Sequence, residues 1–145
     1  MNDKQLQTLI SGFIATGVIT GYYYLIRSLG LDIMAPWNII EYMLNLAIGC
    51  AWILHFCVGQ IFTWFYRTII SLGLRKVKNL FVRGLCYGFI VFVLSEMVIG
   101  IIDFDINADF GYQIVPMSIL FLGDLIFGLV IGLMVPLRNF HYKKN

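Results

Sequence analysis

Charge is what this chain has least of. Lys, Arg, Asp and Glu make up 12% of its 145 residues, about half of the ~25% usual in a soluble domain. With 60% hydrophobic side chains and a mean hydropathy of +0.86, little is left from which to build a soluble domain. Cysteine is scarce too. Cys50, Cys57 and Cys86 are odd in number, lie within apolar stretches and form no CxxC, which argues against a disulfide or zinc framework and leaves them as small packing residues. There is no P-loop, GxSxG, HExxH or GxGxxG, and the two histidines, His55 and His141, lie far apart. No enzyme and no metal site are expected. A net charge of +2 makes no case for nucleic acid. The start of the chain lacks a basic n-region and a small-residue cleavage site, so the first apolar stretch is expected to be a retained span.

What is present is four long apolar runs, over 9–26, 39–66, 80–102 and 112–136. Each is long enough to cross ~30 Å of hydrocarbon at about 1.5 Å per helical residue. The expected fold is therefore all-α, an integral membrane four-helix bundle in a single transmembrane domain. The connections show a strong asymmetry. If all four runs span, then Lys4, Arg67, Arg75, Lys76, Lys78, Arg83, Arg138, Lys143 and Lys144 lie on one side and only Arg27 on the other. Short loops rich in Lys and Arg stay cytoplasmic, so both termini are expected there.

Tyr22, Tyr23 and Tyr24 close the first run and suit the outer headgroup layer. Pro36 fits just before the second helix, whose roughly 28 apolar residues predict one tilted helix. Residues 68–79 mix apolar side chains with cations and read as an interfacial amphipathic turn. The loop over 103–113 holds three acids and no cation. Its run Asp103, Asp105, Asn107, Asp109 has the start of a calcium loop, but Ala108 stands where glycine is needed and Ile114 where the bidentate Glu belongs; a solvated acidic loop is the expectation. Each half has an outward helix, an exterior turn, a proline (Pro36 or Pro116) and an inward helix. This pattern fits either two parallel hairpin repeats or generic hairpin design.

Small residues four apart let helices approach closely where lipid removes the hydrophobic drive. Gly17 and Gly21, Gly84 and Gly88, Gly128 and Gly132 are such pairs, and Ala47 and Ala51 offer the same spacing in the second run. Together they provide more close-packing faces than four helices need internally.

Ionisable groups at membrane depth are costly, at least ~2.5 kcal/mol on insertion scales, and mark candidate sites. Asp124 lies near the middle of the fourth run beside Gly123. It reads either as a proton-handling group or as a carboxylic acid hydrogen-bonded across the bundle. His55 lies in the second run, and a His55–Asp124 contact would satisfy both. A haem ligated by His55 is the alternative cofactor reading, but it needs a second ligand from another copy or from Met or Cys; otherwise no cofactor is expected. Glu96 reads either as part of an outward-facing polar dent with Asn45 and Ser95 or as a group near enough to the interface to reach water by itself, and Gln60 could extend a polar line from His55.

The segments SGFIATGVITG and GLDIMAPWNI, His55 followed by Gly59, and the closing GLVIGL resemble a family of bacterial four-helix inner-membrane proteins of unassigned activity. The resemblance implies the architecture and a bacterial inner membrane, and carries no activity to any residue. The leading expectation is a non-enzymatic accessory subunit or assembly partner of a larger membrane complex, with the bilayer and other membrane subunits or a second copy as partners. The alternative is a small homodimeric proton- or ion-coupled transporter using its intramembrane carboxylates.

Overall fold

The computed structural model describes residues 3–31, 33–106 and 114–135. The described residues form helices joined by short turns, with no strand, and four helical segments are long and apolar enough to cross a membrane: Asp3–Ser28, Ile48–Lys76, Leu80–Ile101 and Met117–Met134. Asn107, Ala108 and Asp109 of the acidic run, and Pro136, Arg138, His141, Lys143 and Lys144 of the tail, lie outside the described residues.

Helix α1 covers Asp3–Ser28. It ends where Gly30 takes a left-handed φ of 85°, a conformation that costs glycine nothing because it has no Cβ. Helix α2, Pro36–Leu44, opens on a proline at its first turn, where the missing N–H is no loss.

The expected single helix over 39–66 is corrected here. It breaks at Asn45, which adopts φ 48°, ψ 48°. The Leu46 N–H donates to Glu41 O at 3.1 Å and the Asn45 N–H to Tyr42 O at 3.4 Å, the paired bonds of a left-handed helix cap. Asparagine tolerates this conformation better than other residues with a side chain. Helix α3 then starts afresh at Ile48–Phe65. It runs on through a π turn, Tyr66–Ile70, one α turn, Ser71–Gly73, and a 3-10 turn, Leu74–Lys76. The second long segment is thus shifted toward the C-terminus and takes up most of the expected amphipathic turn.

Helix α4, Leu80–Ile106, is capped by Asn79, whose Oδ1 accepts from the N–H groups of Phe81 and Val82 at 2.9 and 3.3 Å. Such a cap is worth ~1 kcal/mol. Because α4 runs to Ile106, Asp103 and Asp105 belong to helix backbone rather than to a loop. Helix α5 covers Ile114–Met134.

The helices pack in the order α4, α5, α1, α3, with α2 against α3. Helices α4 and α5 meet backbone to backbone. A Cβ on Gly128 would stand 2.2 Å from Gly88 N and 2.6 Å from Gly84 O, and one on Gly132 would stand 2.4 Å from Gly84 Cα. Only glycine permits that approach.

Gly17 and Gly21 do not play this part. Nothing lies within 4 Å of a Cβ at either position, and both are exposed. The packing face of α1 is instead Thr8, Ser11, Gly12, Ala15, Thr16, Ile19 and Tyr23, a stripe at three- and four-residue spacing. The hydroxyls of Thr8, Ser11 and Thr16 donate to the carbonyls four residues back at 2.7 to 2.8 Å, so their protons are satisfied within the helix. Opposite them α3 presents Ala51, His55, Gly59 and Thr63, and Gly59 fits against the Thr16 side chain. Ala47 lies outside that helix as its N-cap.

Arg83, expected among the loop cations, is buried. Its Nη2 donates to Gly132 O at 2.9 Å, while Gln7 Nε2 donates to Met134 O at 3.0 Å. The last carbonyls of α5 have no partner within their own helix, and a cation there also suits the negative end of the helix dipole. Arg67 ties the continuation of α3 to the start of α1: its Nη1 donates to Lys4 O at 2.7 Å and to Thr8 Oγ1 at 2.8 Å.

Candidate functional site

Helices α3 and α4 have few contacts with each other, because α1 and α5 separate them. They meet at one end, where the Tyr87 hydroxyl donates to Phe62 O and the Tyr66 and Tyr87 rings lie 4.7 Å apart. Beyond that floor the two helices leave a cleft of about 410 Å³ to which all five helices contribute, with α2 across its other end. Its walls are mostly aliphatic and aromatic. At the flank its rim is formed by exposed apolar side chains, Leu44, Ile61 and Val98.

The sequence-predicted polar residues distribute unevenly around this space. Asp124, His55, Glu96 and Ser95 all line it. Gly123, next to Asp124, leaves room for Tyr23, whose hydroxyl would stand 2.7 Å from a Cβ there. Tyr23 is therefore buried in the cleft wall and Tyr22 donates to Ile119 O at 3.1 Å. Of the three tyrosines expected at the headgroup layer, only Tyr24 is exposed, stacked on Trp37. The helical spacing explains this: Tyr23 continues the packing stripe of α1, four residues after Ile19.

Ser95 Oγ donates to Asp124 Oδ2 at 3.2 Å and lies 2.6 Å from Val91 O. A hydroxyl has one proton and can rotate. Directed at Asp124, it serves a carboxylate as acceptor; directed at Val91 O, it leaves its oxygen to accept from a carboxylic acid. One serine thus accommodates Asp124 with or without a proton, and no other side chain has to move.

His55 and Asp124 share the cleft but make no hydrogen bond to each other. His55 Nε2 pairs with Thr20 Oγ1 at 3.2 Å, and its ring is walled edge-on by Trp37, Trp52 and Phe56 at centroid distances of 5.6, 6.1 and 5.7 Å. A haem bound through Nε2 would have to displace Thr20. Among the described residues no three His, Cys, Asp or Glu side chains come together.

The expected dent of Asn45, Glu96 and Ser95 does not form. Asn45 is the exposed break between α2 and α3, its place set by backbone geometry, and Ser95 turns to Asp124. Gln60 is also reassigned. Its Nε2 donates to Leu9 O at 3.1 Å, packed on Gly12, which makes it a tie between α1 and α3 rather than an extension of the polar line. The sequence reading missed Thr20 and Tyr23; both fall within one turn of the Thr16–Ile19 stripe, which is the signal that would have found them.

No family model, curated protein or solved structure matches this chain.

Proposed function

We propose that this chain is a non-enzymatic, multi-pass integral membrane protein that works as a small proton- or cation-coupled carrier, with Asp124 as its proton site. The observation that carries this reading is the Ser95 hydroxyl beside Asp124 on the wall of an open cleft. A purely structural carboxyl is better served by a sealed site, whereas a carrier needs its acid reachable and able to hold or release a proton in place. The open cleft therefore moves the carrier reading ahead of the assembly-subunit reading. The charge asymmetry of the connections supports insertion with both termini cytoplasmic. Because the cleft opens at the flank, a second copy would be needed to enclose a pathway.

The test compares Asp124→Asn with Asp124→Leu in reconstituted vesicles. A proton site predicts that both variants insert and assemble while both lose proton uptake. Retention of wild-type uptake in Asp124→Asn would remove Asp124 from that role. The second reading, a subunit of a larger complex, is favoured by one observation: the Gly17–Gly21 face is open. Gly17→Leu and Gly21→Leu would then disrupt co-purification with a partner in mild detergent while leaving the isolated chain folded.

A further inference from the structure

The cleft has a charge character that its apolar walls conceal. Two carboxyl groups, Asp124 and Glu96, face it, and no Lys or Arg is among its lining residues. Three of its uncharged polar side chains are already engaged with the protein. Ser95 serves Asp124 and Val91 O, His55 pairs with Thr20, and Thr16 donates to Gly12 O. Aromatic surface is supplied from three helices by Tyr23, Phe62 and Phe127.

We propose that this cleft binds an apolar monovalent cation, an ammonium or phosphonium centre carrying hydrocarbon substituents. Its charge would lie by Asp124 and Glu96 and its substituents against the aliphatic and aromatic walls. The proposal rests on the reading of Asp124 as a working carboxyl. A volume of about 410 Å³ suits one molecule of that kind, since ligand pockets run from about 300 to 1,000 Å³. A fully substituted cation asks for no hydrogen bonds, which suits a cleft whose serine, histidine and threonine side chains are already engaged, and aromatic faces attract such cations. A bare calcium or magnesium ion needs a shell of about six oxygens, more than these side chains offer. An anion would meet two carboxyls and no cation. The exposed rim of Leu44, Ile61 and Val98 is apolar, so a ligand dissolved in hydrocarbon enters without crossing a polar barrier.

The experiment measures binding of radiolabelled tetraphenylphosphonium and of tetraphenylborate, which has nearly the same shape and the opposite charge, to the purified chain in dodecyl maltoside. The expected result is saturable phosphonium binding at least tenfold tighter than borate binding. Glu96→Gln and Asp124→Asn should each weaken phosphonium binding about tenfold, and the double variant should bind both ions alike. Far-UV circular dichroism checks the fold of each variant. If Asp124→Asn does not fold, Glu96→Gln alone decides, because Glu96 makes no hydrogen bond among the described residues. Equal binding of the two ions would mean a groove for neutral apolar groups or a partner helix, and would overturn the proposal. So would the absence of binding, or phosphonium binding unchanged by either substitution. Phosphonium binding by a protein that takes up no protons would sink the carrier reading and leave this site standing; proton uptake without phosphonium binding would do the reverse.

Discussion

Gly128→Ala is the smallest change that tests how α4 and α5 are held together. The added methyl would stand 2.2 Å from Gly88 N, 2.4 Å from Gly88 Cα and 2.6 Å from Gly84 O. All three are backbone atoms, so no side chain can turn aside. Relief to an ordinary contact of about 3.4 Å requires the two helices to part locally by about 1.2 Å, the difference between 3.4 and 2.2 Å. Overpacking of this sort costs about 1–3 kcal/mol, and part of the glycine-mediated approach between the helices goes with it. Gly17→Ala is the internal control. Nothing lies within 4 Å of its new methyl, and alanine is the better helix former by about 1 kcal/mol in an exposed helix interior. The assay is equilibrium unfolding in dodecyl maltoside with rising mole fraction of dodecyl sulfate, followed by far-UV circular dichroism. Gly128→Ala should unfold at a clearly lower fraction than wild type, and Gly17→Ala at the same fraction or higher. Equal midpoints for Gly128→Ala and wild type would refute the backbone contact between α4 and α5. Equal damage from both substitutions would refute the assignment of Gly17 to an open face.

Other consequences are checked on the same material. Asn45→Gly should be tolerated, whereas Asn45→Val should lower stability by about 1–2 kcal/mol, because a β-branched residue resists the left-handed conformation of the α2–α3 break; equal midpoints for the two would argue against that break. Arg83→Met should cost about 1–3 kcal/mol by leaving the Gly132 carbonyl buried without its donor, and Arg83→Gln, which keeps a donor, should recover part of it in the same titration. Labelling from outside should modify a cysteine placed at Ala108 and spare one at Lys76. The reverse pattern would overturn the charge-based topology.

The sequence by itself determined the class: all-helical, with four segments long and apolar enough to cross a membrane. Composition and length dictate that much, because stretches of 18 or more predominantly apolar residues have few other uses. It also picked out Asp124, His55 and Glu96, since ionisable groups stand out in apolar runs whatever the fold. Tertiary structure decided what those residues do. Asparagine at 45 is compatible with helix or with a left-handed break, and only the packing of α2 on α3 selects the break. Three glycine pairs look alike in sequence, yet two are consumed between α4 and α5 while Gly17 and Gly21 face outward, because α1 packs through its hydroxyl and alanine stripe instead. Arg83 reads as a loop cation until the end of α5 supplies an unsatisfied carbonyl beside it. Asp124 finds Ser95 rather than His55 because hydrogen bonding depends on which helices are neighbours, and helix order in space is a property of the whole packed chain that no single run encodes.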